Sequence, residues 1–174
     1  MAFTVDQPLP DGECWFRCLT NKDHVTSAGT VHHAALKGKG AFSPSQGKKW
    51  AHELSGSVVS LMGDVPQIET HAHARIAEIR KKLIDKRKPV PRAIQFAGVA
   101  SATTDELRAT AMDRARIDVI YTPLDHNPAH ADVVTYQTTS ETSLDPVRYW
   151  LVTILRVTSA TELSLLVSSC GHRV

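Results

Sequence analysis

Arg80, Lys81, Lys82, Lys86, Arg87 and Lys88, with Arg92 just beyond, set seven cations against the single carboxylate of Asp85. Side chains of this kind neutralise the phosphates of DNA or RNA, and such contacts make affinity fall steeply with salt. A structural reading competes with this one. Cations near a helix C-terminus are favoured by the macrodipole by about 0.3–1 kcal/mol each, and charge runs commonly just face water. The run nevertheless exceeds what helix stability requires. Lys37-Gly38-Lys39-Gly40 adds a second basic segment, in which Lys37 and Lys39 and the glycine backbone would suit an anion. It lacks the longer glycine spacing ending in Lys-Ser/Thr of a phosphate loop, so a plain basic turn is the simpler account.

Acid–base chemistry has one candidate segment, Thr122-Pro123-Leu124-Asp125-His126-Asn127-Pro128-Ala129-His130-Ala131-Asp132. Two imidazoles and two carboxylates fall in a proline-fixed turn between two strand candidates, and imidazole is the natural proton carrier near neutral pH. Asp125 and Asn127 are also good turn formers, and His130 can hydrogen-bond within such a loop, so the segment reads first as a satisfied turn.

Metal chemistry finds little support. Cys14, Cys18, Cys170 and His172 are zinc-type ligands, but on a strand the sulfurs of Cys14 and Cys18 would lie about 13 Å apart, too far to share one ion. His71 and His73 on a helix, and His32 and His33 on a strand, point to different sides. His52-Glu53 has no second histidine at helical spacing, and no Gly-x-Ser-x-Gly is present. Neither a metal nor a cofactor is expected, and the cysteines read as buried structural residues.

These groups must be positioned by a fold that the chain can form. Its 174 residues suit one domain burying about 68–70% of its unfolded surface. With 42% hydrophobic and 22% charged residues, its composition suggests neither disorder nor a membrane protein. Three cysteines make an odd number, which argues against a disulfide framework and for the cytoplasm. The formal charge of +2 implies no attraction of the whole molecule to a polyanion, so any basic function must be local.

Cys14 to Leu19 is the first strand candidate, and Thr30 to Leu36 a second extended run. Trp50, Leu54, Val58 and Leu61 fall at helix-like intervals that Gly47, Gly56 and Gly63 weaken. The clearest helix spans Glu69 to Lys86, with Ala72, Ile76, Ile79 and Leu83 on one face, and Pro89 and Pro91 stop it. Ala93 to Ala100 reads as a buried strand. Thr103 and Glu106 form a capping box, and Ile117 to Thr122 and Ala131 to Tyr136 suit a hairpin. Asp145-Pro146 starts a helix carrying Val147, Trp150, Leu151 and Ile154, and Glu162 to Ser168 reads as a last strand. Strands and helices without regular βαβ alternation predict an α+β fold: one compact domain, residues 1–174, with a mixed or mainly antiparallel sheet and about three helices against it.

Trp15-Phe16-Arg17 with His24-Val25-Thr26-Ser27, and Pro123-Leu124-Asp125-His126-Asn127-Pro128-Ala129-His130-Ala131 before an apolar strand, resemble small bacterial proteins of uncharacterised function. Those proteins begin with a Phe-Arg strand and carry an Asn-Pro-Ala-His-Ala turn. The likeness covers about half the chain in two blocks and leaves residues 69–92 as an addition to the shared core. It implies that Arg17 and His130 approach each other. An arginine on the first strand with a distant histidine also suits an enzyme gripping a dinucleotide phosphate, as ADP-ribosyl-transferring folds do, although no glutamate is placed to complete that site.

Two functions follow as expectations. The first is a binding or accessory module of a bacterial multi-component system, engaging nucleic acid or an acidic protein surface through Arg80 to Lys88, Arg92, Lys37 and Lys39. The alternative is an enzyme acting on a nucleotide or RNA, with Arg17 as anion clamp and His130, assisted by His126, in acid–base work. No membrane partner is expected.

Overall fold

The computed structural model describes residues 2–36, 43–44, 50–109, 116–136 and 145–170. They form one antiparallel sheet with helices on both faces, the α+β arrangement that the sequence predicts. Its strands are β1 (Cys14–Leu19), β2 (Ser43–Pro44), β3 (His52–Val58), β4 (Gly98–Thr103), β5 (Ile117–Tyr121), β6 (His130–Thr135) and β7 (Arg156–Thr158). They lie in the order β5-β6-β3-β1-β4-β7, with β2 against β3. The helices are α1 (Val59–Met62), α2 (Val65–Asp85), α3 (Thr104–Arg108), α4 (Asp145–Ile154) and α5 (Leu163–Cys170).

The centre of the sheet is fixed by an aromatic side chain lying across a glycine. Trp15 on β1 is fully buried, and its indole Nε1 donates to the Ala131 carbonyl on β6 at 3.0 Å. β3 stands between those strands, and its Gly56 is the register partner of Ala131. A Cβ at Gly56 would sit 2.2 Å from the Trp15 ring, so only glycine lets the indole pass over the middle strand.

Side-chain alternation then sorts the apolar residues into two cores. Trp15, Leu19, Leu54, Val58, Ala100, Ala131 and Val133 share one cluster, which α3 and α4 cover through Leu107, Val147 and Leu151. Cys14, Phe16 and Val99 point the other way and meet Ile68 of α2, Met62 of α1 and Leu163 and Leu166 of α5. The outer edge of β5 is occupied by the N-terminal segment, through Asp6 N–H to the Tyr121 carbonyl and Leu9 N–H to the Val119 carbonyl. Arg108 fastens that segment by donating to Asp118 at 2.7 Å and to the Leu9 carbonyl and Asp11 at 2.5 Å.

Several elements differ from the sequence reading. Thr30 to Leu36 contributes a single bridge at Val31 and a 3-10 turn over His33–Leu36 rather than a strand. The helix-like spacing around Leu54 and Val58 belongs to β3, because residues four apart share a side in a strand as well as in a helix. The buried strand expected at 93–100 is displaced to Gly98–Thr103. Gly98 opens it at φ 123°, with the Thr158 carbonyl 2.3 Å from where a Cβ would stand. α2 begins at Val65, because the Asp64 side chain accepts from Gln67 N–H and caps it.

The last strand expected at 162–168 is the helix α5, and its two buried leucines, Leu163 and Leu166, are a helical step apart. Cys14 and Cys170 are joined in a disulfide, against the expectation of unpaired structural cysteines; only Cys18 is free. This pairing also withdraws the cysteine-based argument for the cytoplasm.

Gly56→Ala is expected to lower stability by about 1–3 kcal/mol through overpacking against Trp15. Urea unfolding followed by tryptophan fluorescence measures it, and an unchanged midpoint would contradict the crossing of Trp15 over Gly56.

Candidate anion-binding surface and the histidine turn

The cations of residues 80–92 lie at the C-terminal end of α2 and in the segment after it. Lys81 Nζ pairs with Asp85 at 2.7 Å, and Lys82 Nζ with Glu78 at 2.5 Å. Glu78 also takes Arg75 at 2.5 Å, and these two hydrogen bonds, that of Lys82 foremost, hold its carboxyl below the usual range. Arg80 donates to the Ile94 carbonyl at 2.8 Å, which ties the helix to the following segment, and among the described residues no carboxylate pairs with its guanidinium. Lys86, Arg87, Lys88 and Arg92 are exposed, and among the described residues no carboxylate pairs with them. Within the run Lys81 and Lys82 are thus paired on the helix, whereas Arg80 and the cations at and beyond the helix end have no carboxylate partner among the described residues. Lys86 caps the helix, Arg87 takes a positive φ of 53°, and Lys88 N–H returns to the Leu83 carbonyl. The chain therefore turns where the unpaired cations are densest. Lys37 and Lys39 lie outside the described residues.

The histidine segment is the β5–β6 hairpin turn. Leu124 and Asn127 exchange backbone hydrogen bonds, and Asn127 Nδ2 donates to Ser57 Oγ on β3 at 3.0 Å. His130, 9% exposed, opens β6 and presents Nδ1 to the Thr122 carbonyl at 2.7 Å and to Thr122 Oγ1 at 3.0 Å. A carbonyl only accepts, so Nδ1 carries the hydrogen. Thr122 Oγ1 in turn donates to Asp132 Oδ2 at 2.7 Å, while His130 Nε2 stands 3.6 Å from Asp132 Oδ1. The carboxylate of Asp132 is 1% exposed. These contacts tie the two ends of the turn to each other and to β3. They use His130 as a hydrogen-bonded support of the hairpin, with Nε2 directed at a buried carboxylate.

Arg17, half-buried on β1, donates from Nη1 to the Ser55 carbonyl at 2.6 Å. Burial, and then the charge of Arg75, bring its pKa down to about 10, while Cys18 and Asp132 act in the opposite sense. Asp132 is thus the group that relates Arg17 to His130. His71 lies within electrostatic reach of Arg75, His126 and His130, and its pKa is pushed down by burial first and then by those three. His24 is lowered by burial, then by Arg17, with Asp23 opposing. From His71 to Arg80 is nine residues of helix, about 14 Å of axis, so the imidazoles and the basic run occupy separate stretches of α2.

Sequence reasoning singled out His130 and the basic run without the contacts around them: Thr122 on His130, Ser57 on Asn127, and Arg75 beside Lys82 on Glu78. Thr122 alone had a local signal, its place beside the turn; Ser57 and Arg75 are brought in by β3 and α2. Cys14 and Cys170, being bonded to each other, are not free thiolates for the zinc set considered from sequence, and His172 lies outside the described residues. Among the described residues no group of three or more His, Cys, Asp and Glu side chains is placed to hold a metal ion. No helix among them is long and apolar enough to cross a membrane.

Two outcomes are expected. His130→Ala removes a buried partner from the Thr122 carbonyl and should cost about 1–3 kcal/mol in thermal or chemical unfolding; an unchanged melting temperature would contradict the supporting role. Because folding depresses the pKa of His24 and His71, the unfolded chain takes up their protons first as pH falls. Stability is therefore complete above about pH 6.5 and declines below it. His71→Gln should flatten that decline between pH 7 and 5, and an equally steep profile in the variant would contradict the assignment.

Comparison of the chain with known protein families, with curated proteins and with solved structures finds no match to any of them.

Proposed function

We propose that this protein binds a polyanionic partner, a nucleic acid or an acidic protein surface, through the turn that ends α2. The observation that supports this reading is the exposed group Lys86, Arg87, Lys88 and Arg92, which like the guanidinium of Arg80 has no carboxylate partner among the described residues. Such a group repels itself, and it gains when a polyanion supplies the missing charge and releases condensed counterions. The net charge of +2 makes the effect local, so affinity should be set by these residues and not by the molecule at large. A place as an accessory module of a bacterial multi-component system extends the proposal on the strength of the family resemblance. A nucleic acid partner would suit the cytoplasm; the Cys14–Cys170 disulfide is the feature that points away from that compartment.

The enzyme reading stands second. Arg17, His130 and Asp132 are related electrostatically, which suits it. Yet Arg17 Nη1 is spent on a backbone carbonyl, His130 Nδ1 on another, and Asp132 is 1% exposed. Groups so engaged support a hairpin better than they receive a substrate.

The test is retention on immobilised heparin together with duplex-oligonucleotide binding at increasing salt. If all four cations meet phosphates, the slope of log K against log salt is about −3.6. Replacing Lys86, Arg87, Lys88 and Arg92 with Ala should abolish retention and flatten that slope. Retention on heparin without oligonucleotide binding would direct the proposal to an acidic protein. Unaltered binding in the quadruple variant would overturn it.

A further inference from the structure

We infer that the Cys14–Cys170 disulfide is a reducible latch on α5, whose opening frees that helix from the second core while the sheet stays folded. The bond joins the first strand to the last described helix across 156 residues of chain. α5 has eight residues, and an isolated helix of that length is marginal in water. Leu163 and Leu166 are its buried residues, and Leu165 is 66% exposed, so its own apolar attachment is narrow. The sheet, by contrast, is held by the Trp15–Ala131 hydrogen bond, by the other core and by Arg108, none of which includes α5. The element most dependent on the disulfide is thus the one on which the rest of the fold depends least.

The bond can also be reached. An opening of about 370 Å³ borders it, lined by Gly12, Cys14, Ser101, Arg156, Ser169 and Cys170. Cys14 is 6% exposed and Cys170 half-buried, so an incoming thiolate meets the sulfur of Cys170 first. That attack forms a mixed disulfide at Cys170, and the electron pair of the old bond leaves on Cys14 Sγ, which takes up a proton. A second thiol on the same reagent then displaces Cys170 as its thiol, and the reagent departs as a cyclic disulfide, having supplied two electrons and two protons. Ser169 Oγ stands 3.7 Å from Cys170 Sγ while donating to the Leu166 carbonyl, and so can accept from the Cys170 thiol once the bond is open. Cys18 packs against the same core but does not scramble the pair, because burial pushes its thiol up to about 12 and keeps it protonated. Opening the latch would withdraw Leu163 and Leu166 from the core that they share with Phe16, Met62, Ile68 and Val99.

Native-state hydrogen exchange read by mass spectrometry, with and without dithiothreitol and without denaturant, tests the inference on the whole chain. Thiols counted after quenching and unfolding the sample should rise from one free cysteine to three. Amides of Leu163–Cys170 should then lose protection by about tenfold or more, while those of β3, β6 and β5 keep theirs. The Cys14→Ser/Cys170→Ser double variant should show the same pattern without reagent; if it fails to fold, the reduced wild-type chain decides. Three results would overturn the latch: a bond that resists the dithiol in the native state, unaltered protection in α5 after reduction, or loss of protection throughout the chain at once.

Discussion

The crossing of Trp15 over Gly56 to the Ala131 carbonyl is the contact on which the arrangement of the sheet depends. It binds β1 to β6 over an intervening strand that has no side chain at the crossing point, and so fixes the mutual register of three central strands. A slip of one residue in any of them would send its side chains to the opposite face. With the register set, Leu54, Val58 and Val133 join Trp15 in one core. By the same alternation Ser57, His130 and Asp132 face the other side, where His71 of α2 lies within electrostatic reach of His130. The polar network of the hairpin therefore shares its register with the crossing of one indole over one missing Cβ.

α2 carries charge in two ways along its length. In its first half Ile68, Ala72 and Ile76 are buried, and His71 feels Arg75, His126 and His130. Farther on, Glu78 pairs with both Arg75 and Lys82, and Asp85 with Lys81, two carboxylates against three cations. Exposed pairs of this kind contribute little to stability, but they offset part of the positive charge of the helix body. The cations without a carboxylate partner among the described residues are densest beyond the last helical residue, where Lys86 to Arg92 leave the helix. Long cationic side chains gathered at a turn can follow a polyanion more freely than a row fixed by side-chain pairing.

Legibility from sequence followed the range of the interactions involved. β1, the Thr103–Glu106 capping box, the β5–β6 hairpin and the start of α4 were readable because their signals are local: alternation, a cap, a turn and an Asp-Pro step. β3 was obscured because Leu54 and Val58 satisfy both periods, and α5 because a short apolar run does not distinguish helix from strand. The disulfide was missed because an odd cysteine count suggests none, whereas pairing two of three is decided by a spatial approach across 156 residues. Of the candidate site, the turn-forming role of Asn127 and His130 was visible locally. The pairing of Lys81 and Lys82 with carboxylates one helical turn away was equally within reach of i, i+4 spacing, and the length of the basic run drew attention from it.

The proposed polyanion site consists of the exposed cations after α2, which have no carboxylate partner among the described residues, and excludes the histidine hairpin. Titrating the isotopically labelled protein with a short heparin fragment, and following backbone amide resonances by NMR, separates the two most directly. The account requires shifts confined to Lys86 through Arg92 and the last turn of α2, with His126, His130 and Asp132 unmoved. Shifts centred on Arg17, His130 and Asp132, with the helix end silent, would contradict it.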